Sequence, residues 1–272
     1  MRLTILSICL ILVTLGTKAQ DAKLPVGKKV QVVQESKLTN SVNMMGTDMT
    51  TDINSTTYST AEIKKVTDSS IVLTYTTTRI KGHFSMMGQD NSYDSNDSSS
   101  VSNPMVASQL KNINQPVTYT IINGKAQSEG KKEAEEEQSL AKMLDAGRES
   151  IVEGFFVPSK VKAKTEGFKW SSDEKSDDDA TKQSSINTLS KTNATEIEVT
   201  ANTTMTVKGK VKMMGMDVNQ NLSGSRTTLS SYTNKTGLLS VSTQKIAMSG
   251  TVEVMGNNIP ITLKGVITTT VQ

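Results

Sequence analysis

The stretch IEVTANTTMTV, residues 197–207, alternates apolar and polar side chains. Its apolar residues all fall on one face of an extended chain: Ile197, Val199, Ala201, Met205 and Val207. A period of two is typical of a β-strand that packs one face on a core and leaves the other in water. The same period recurs around Val30, Ile71, Ile246 and Ile259. The sequence therefore predicts a mainly antiparallel β protein.

Met-Gly pairs interrupt the alternating runs at four places, ending at Gly46, Gly88, Gly215 and Gly256. Glycine readily adopts the left-handed conformation, so each pair predicts a β-hairpin with a three-residue loop. Turn signals lie midway between the glycines of each half, at 67–70 and 233–237. Each half therefore holds pairs of strands of roughly 16–18 residues, a length at which sheets twist and curl strongly.

Methionines crowd these four turns. Seven of them are candidate contacts for a partner or ligand: Met44, Met45, Met86, Met87, Met213, Met214 and Met255. Thioethers select Cu(I), but histidine is near only one of the four turns. An adaptable apolar rim, or simple packing under neighbouring loops, is therefore favoured over a copper site. We expect all four turns to lie at one end of the sheet, with the turns at 67–70 and 233–237 at the other.

The middle of the chain has a different pattern. A short helix is expected within 103–112, and Asn123-Gly124 predicts a small hairpin at 117–130. Residues 131–152 predict the one substantial helix, with an apolar face and an acidic start that suits the helix dipole. The predicted fold is thus a long curled antiparallel sheet or incomplete barrel, with this central helix packed on it.

The first nineteen residues have the layout of a secretory signal peptide. Arg2 precedes an apolar run that is too short to span a membrane, and small residues end at Ala19. The run also contains Cys9, but Ile8 before it is too large for a lipid-attachment site. We expect export to the periplasm or beyond, with no transmembrane segment in the mature chain. Residues 20–272 form one β-rich domain, with strand sets at about 28–100 and 186–272 around a helical middle segment.

Charge and composition argue against several classes of protein. Without residues 1–19 the chain has 28 basic and 27 acidic residues, too balanced to predict nucleic-acid binding. The lone histidine, His83, has no nucleophile motif around it, and few aromatics are present to stack on a sugar. Acidic segments at 90–97 and 173–179 lack the pattern of a calcium loop. We therefore expect no enzymatic activity, no cofactor and no metal site.

Several short pieces together resemble an uncharacterised family of secreted, Thr-rich β proteins of bacteria, a domain-of-unknown-function family. These pieces are NMMGTDM at 43–49, SMMGQD at 85–90, EGFKW at 166–170 and KMMGMDV at 212–218. Serine and threonine make up about a quarter of the chain, which fits the same description. The resemblance implies a signal peptide, two strand sets and a central helix, and it carries over no catalytic residue.

Three functions are left open by the sequence. The leading hypothesis is a non-enzymatic secreted or envelope binding module of unknown ligand. The alternative is a carrier that holds an apolar, lipid-like ligand in the concave face of the sheet, and the third is a hydrolase. An apolar cavity under the helix would favour the carrier, whereas a filled space would favour the interaction module. Polar groups converging around His83 would favour the enzyme.

Overall fold

The computed structural model describes residues 26–44, 46–67, 69–86, 89–101, 113–129, 147–162, 164–175, 181–213, 216–254 and 256–272. The strands are β1 (Lys29–Met44), β2 (Thr47–Val66), β3 (Ser70–Met86), β4 (Gln89–Asp94), β5 (Pro116–Ile122), β6 (Lys125–Glu129), β7 (Lys169–Lys175), β8 (Thr181–Thr192), β9 (Glu196–Met213), β10 (Met216–Thr233), β11 (Leu239–Val254) and β12 (Asn257–Val271). The predicted signal peptide, residues 1–19, lies outside the described residues.

All twelve strands belong to one antiparallel sheet, which confirms the predicted fold class. The order is β6-β5-β3-β2-β1-β12-β11-β10-β9-β8-β7, and β4 pairs with the far half of β3. The first and last long strands, β1 and β12, therefore meet in the middle of the sheet, with Val32 opposite Val271. The seven long strands have 15 to 20 residues each, close to the expected length.

The two edge strands, β6 and β7, are brought together by side chains. Lys125 of β6 forms an ion pair with Glu174 of β7. Eleven strands in a flat sheet would hold these edges roughly 48 Å apart, at about 4.8 Å per strand. The sheet must therefore curl until its edges face each other, although strand pairing leaves it open between them.

Strand directions place the four Met-Gly connections at one end of the sheet, as expected. They join Met44 to Thr47, Met86 to Gln89, Met213 to Met216 and Val254 to Asn257, each pair being directly opposite in its hairpin. We call this end the tip end. The turns after Val66 and Thr233 lie at the other end.

The loops at the tip end are shorter than expected. Pairing continues up to the residue before each Met-Gly pair and resumes directly after it, which leaves two residues where three were predicted. Two-residue loops are common in hairpins because their twist matches that of the flanking strands. Gly46 and Gly256 have φ of 82° and 79°, so the predicted left-handed glycine is confirmed at both.

The Asn-Gly hairpin is found where the sequence predicts it. β5 and β6 pair with Ile122 opposite Lys125, which leaves Asn123 and Gly124 as a two-residue loop. Both have positive φ, 53° and 80°, as a type I′ turn requires. This hairpin lies at the end opposite the tips, since Ile122 pairs with Ser70 at the start of β3.

The predicted fold is corrected at the long central helix, 131–152. Of the segment 131–152, residues 131–146 lie outside the described ranges, and the described part forms only α2 (Gly147–Glu153). Gly154 ends α2, and a 3₁₀ turn follows at Ser159–Val161 after Pro158. The other described helix, α1 (Ser98–Val101), has four residues. Within the described ranges no helix has the length and hydrophobicity needed to cross a membrane. The helix expected within 103–112 lies mostly outside the described residues.

Candidate functional site

One face of the curled sheet, which we call the inner face, carries the packed residues. Val30 and Val32 on β1 contact the segment after α2, and alternation places Leu38 and Asn40 on the same face. Residues directly opposite one another on neighbouring strands share a face. The inner face can therefore be followed across the sheet, row by row, from the pairing register.

A plug, residues 151–161, fills the inner face at the end opposite the tips. Ile151, Val152 and Phe155 pack with residues of β1, β2, β3 and β5, and Val161 packs with residues of β8 to β11. The Phe155 ring meets Tyr75 edge-on, with 6.5 Å between ring centroids. The plug therefore touches both halves of the sheet, and the space beneath it is filled.

The tip end of the inner face carries a different apolar cluster. Its buried members are Leu222, Met248, Val252, Ile261 and Leu263, and its partly buried members are Val42, Met205, Val207, Ile246, Val254 and Ile259. Every member of this tip-end cluster lies on a strand of the sheet, in contrast to the clusters that the plug joins. Its five buried members are 2–8% exposed, and no described residue from outside the strands takes part in the cluster.

Two strand glycines lie within the tip-end cluster. Gly250 is opposite Leu222 and Ile261, and Gly224 is opposite Met248. A Cβ added at Gly250 would lie 2.0 Å from the carbonyl oxygen of Asn221, so the backbones approach too closely for any side chain. These glycines allow the local bend that makes the face concave.

A polar group separates the tip-end cluster from the plug. Arg226 of β10 lies opposite Thr203 of β9 and Ile246 of β11. Its Nη2 donates a hydrogen bond to Gln183 Oε1 at 2.9 Å, and the hydroxyls of Ser185 and Thr203 lie 2.8 Å apart beside it. Burial lowers the pKa of the Arg226 guanidinium, and the charge of Glu174 opposes that shift.

Two buried polar atoms on this face lack a partner. Arg226 Nε is buried and has no hydrogen-bond acceptor among the described residues, and the same holds for Asn40 Oδ1 on β1. Such atoms are rare in folded proteins, because each loses its hydration without a replacement. The inner face therefore presents one unused donor and one unused acceptor beside an apolar surface.

The seven candidate methionines are placed only by their backbones. Met44, Met86 and Met213 end their strands at the tip end; Met45, Met87, Met214 and Met255 lie outside the described residues. The connections they flank are at the same end as the tip-end cluster. Their role as a contact rim stays a prediction.

His83 lies at a groove on the opposite, outer face. The groove has a volume of about 710 Å³ and is lined by Lys37, Lys264 and Asp52 among others. His83 Nε2 is 3.5 Å from Asp90 Oδ1, and their side chains are 41% and 72% exposed. Ser92 is the cross-strand neighbour of His83, so the residue types of a hydrolase triad are close together. They are solvated on a hairpin surface, however, which does not provide the dry site that such chemistry uses.

Two carboxylates of the acidic segment 90–97 bond within the β3–β4 hairpin and the turn that follows it. Asp94 accepts hydrogen bonds from Arg79 and from the Asn96 amide, which lower its pKa to about 2. Asp97 accepts hydrogen bonds from the hydroxyl and the amide of Ser99. Among the described residues no group of three metal-ligating side chains is present. The second acidic segment, 173–179, is described only to Lys175.

Arg226 is not among the residues that the sequence patterns singled out. In β10 the inner-face phase runs through Gln220, Leu222, Gly224 and Arg226, so an arginine stands in the position of an inward residue. That mismatch between residue type and phase was the available signal. Gln183 could not be found in this way, because its role depends on the β8–β9 register.

No protein-family model matches the chain, and no curated protein matches it. The resemblance to a Thr-rich secreted family therefore stays a prediction. Among solved structures, the chain is similar to lipovitellin from a study of lipid-protein interactions, at 8% identity and a TM-score of 0.47 over 92% of this chain. It spans 25% of the lipovitellin chain. It is also similar to an outer membrane channel from Pseudomonas putida F1, at 8% identity and a TM-score of 0.28, over 93% of this chain and 98% of the channel.

Proposed function

We propose that this chain is a non-enzymatic binding protein that holds the apolar part of a ligand on the tip end of its inner face. The observation that carries the proposal is the tip-end cluster, whose members all lie on the sheet. The plug shows how the same face is covered elsewhere, by a second layer with large rings. Within the tip-end cluster, no described residue from outside the strands supplies such a layer.

The composition of the tip-end cluster suits a variable apolar ligand. It contains aliphatic side chains and two methionines, Met205 and Met248, and its described members include no aromatic ring. Methionine is flexible and polarisable, so it adapts to ligands of different shape. Together with the predicted signal peptide, this favours a carrier in a bacterial envelope or secretion space.

An interaction module is the second candidate. The filled plug end is what the sequence analysis expected of such a module, and the tip methionines would supply its contact rim. Native mass spectrometry of the protein purified from its own envelope separates the two candidates. A retained lipid-sized mass supports the carrier, and a stoichiometric protein partner without it supports the module.

The direct test is binding of the neutral fluorophore N-phenyl-1-naphthylamine to delipidated protein. We expect saturable binding, weakened several-fold by Met205→Gln, since Met205 is a partly buried member of the tip-end cluster. Ile186→Gln is the matched control, because Ile186 is 58% exposed and lies on the outer face of the adjacent strand. Non-saturable binding, or equal effects of the two variants, would overturn the proposal.

A further inference from the structure

Arg226 is a charged group of the inner face whose hydrogen bonds the described residues satisfy only in part. Its Nη2 is bonded to a neutral amide, Gln183, and its Nε has no acceptor among the described residues. A buried cation is costly unless an anion or a full set of acceptors faces it. Among the described residues this compensation is incomplete, which points to an anion from another source.

The nearest carboxylate on the edge strand is already engaged. Glu174 lies opposite Gln183 in the β7–β8 pair, but its side chain forms an ion pair with Lys125 across the open edge. It is also 46% exposed, so water screens its charge. Glu174 therefore contributes to the field around Arg226 without occupying the guanidinium.

The neighbours of Arg226 divide into two kinds. On the β9 side lie the hydroxyls of Thr203 and Ser185, with Gln183 in the next row. On the β11 side lies Ile246, a member of the tip-end cluster, and one row towards the tips follow Met205 and Met248. The guanidinium thus stands at the boundary between a polar strip and an apolar surface.

We propose that Arg226 binds the anionic head group of an amphipathic ligand, a carboxylate or phosphate whose apolar chain lies on the tip-end cluster. This inference rests on the proposed function and adds the chemical class of the ligand. A guanidinium offers parallel N–H donors that match two oxygens of one oxyanion. The hydroxyls of Ser185 and Thr203 bond to each other beside it, and the one that accepts in this pair keeps its own hydrogen free to donate.

The experiment is displacement of N-phenyl-1-naphthylamine from the full protein by four competitors: dodecanoate, dodecyl phosphate, dodecanol, and a mixture of acetate with inorganic phosphate. A charged hydrogen bond in a partly dry site predicts that dodecanoate and dodecyl phosphate compete at about tenfold lower concentration than dodecanol. The short anions should not compete, because they lack the chain.

The variants assign this preference to one residue. In Arg226→Met, dodecanoate should displace the fluorophore only at the concentration at which dodecanol does. Arg226→Lys should lose part of the preference for dodecanoate over dodecanol, because an ammonium cannot bind two oxygens in parallel. Arg79→Met is the matched control, since Arg79 on β3 forms an ion pair with Asp94 on β4. It should keep the full preference.

Each result decides between the two proposals. Equal competition by dodecanoate and dodecanol overturns the Arg226 inference and leaves the proposed function standing. Failure of every competitor, with no saturable fluorophore binding, overturns both. Displacement by acetate and phosphate as strong as by dodecanoate shows a free-anion site and overturns the head-group inference.

Thermal melts check folding: Arg226→Met should melt no lower than wild type, because the replacement removes a buried charge. If Arg226→Met does not fold, an unchanged preference in Arg226→Lys overturns the inference.

Discussion

The plug end and the tip end of the inner face are built from one sheet but covered in different ways. At the plug end, Phe155 of the plug meets the Tyr75 ring edge-on and shares a buried cluster with Tyr119 of the sheet. In the tip-end cluster, aliphatic side chains, two methionines and strand glycines lie on the inner face, and every member belongs to the sheet. The comparison separates an end of the sheet that a segment of the chain covers from an end where, as we propose, an apolar ligand binds.

The strongest test of this difference is Phe155→Ala. Phe155 is 1% exposed and contacts both α2 and the sheet, so we expect a loss of about 3–5 kcal/mol in the free energy of unfolding. Urea unfolding followed by circular dichroism measures it. Leu222→Ala at the tip end is the counterpart and should cost less. Equal losses would show that both ends are ordinary core, and the contrast would fail.

The second test concerns the curvature of the tip end. At Gly250 a new methyl group would meet the Asn221 oxygen at 2.0 Å and the Leu222 Cα at 2.9 Å. Gly250→Ala must therefore shift the backbone, and we expect a loss of about 1–3 kcal/mol, as for other overpacked sites. The same urea measurement applies. A neutral result would mean that this close approach does not set the bend.

The third test compares that glycine with one at a hairpin tip. Gly46 has φ of 82°, and a Cβ there would meet nothing within 4 Å. Gly46→Ala should therefore cost only the backbone penalty, about 1–2 kcal/mol, and Gly46→Asn less, because asparagine tolerates this conformation. If asparagine were no better than alanine, the left-handed φ would not be the cause.

The smallest effect expected is a pH dependence at the β3–β4 hairpin. The pKa of Asp94 is lowered to about 2, mainly by hydrogen bonds from Arg79 and Asn96. A lowered carboxyl pKa stabilises the fold above the unfolded value, near 4, and this stabilisation disappears as the pH falls towards 2. Unfolding measured between pH 5 and pH 2 should show a shallower decline in Asp94→Asn than in wild type. Parallel curves would exclude the ion pair as the source.

Local patterns in the sequence predicted what depends on neighbours along the chain. Alternation identified the long strands, and Asn123-Gly124 identified a hairpin, because both signals act within a few residues. The helix predicted at 131–152 rested on amphipathic spacing, which does not fix the length or packing of a helix; Leu140 and Leu144 lie outside the described residues, and the described helix there is Gly147–Glu153. In the described chain the plug depends on Ile151, Val152 and Phe155, next to a glycine that ends α2.

The candidate site depended on information that no local pattern carries. Arg226 could be assigned to the inner face from its phase in β10, but its uncompensated charge depends on which side chains β8, β9 and β11 bring beside it. The ion pair between Lys125 and Glu174 likewise forms only because the sheet curls and brings its two edge strands together. Registers between strands distant in sequence are set by the whole sheet.

The pairing of the first and last strands has a consequence for how the molecule folds. Gln31 and Gln272 exchange two backbone hydrogen bonds of 2.9 Å, and β1 and β12 pair along most of their length. Each half of the sheet is a meander of near neighbours, yet the halves join through a contact that closes nearly the entire polypeptide into a loop. Contacts of such long range slow folding, because the entropy of closing the loop must be lost before the contacts themselves can stabilise the fold. We infer that the two meanders organise first and that the β1–β12 junction is the late, rate-limiting event in assembly.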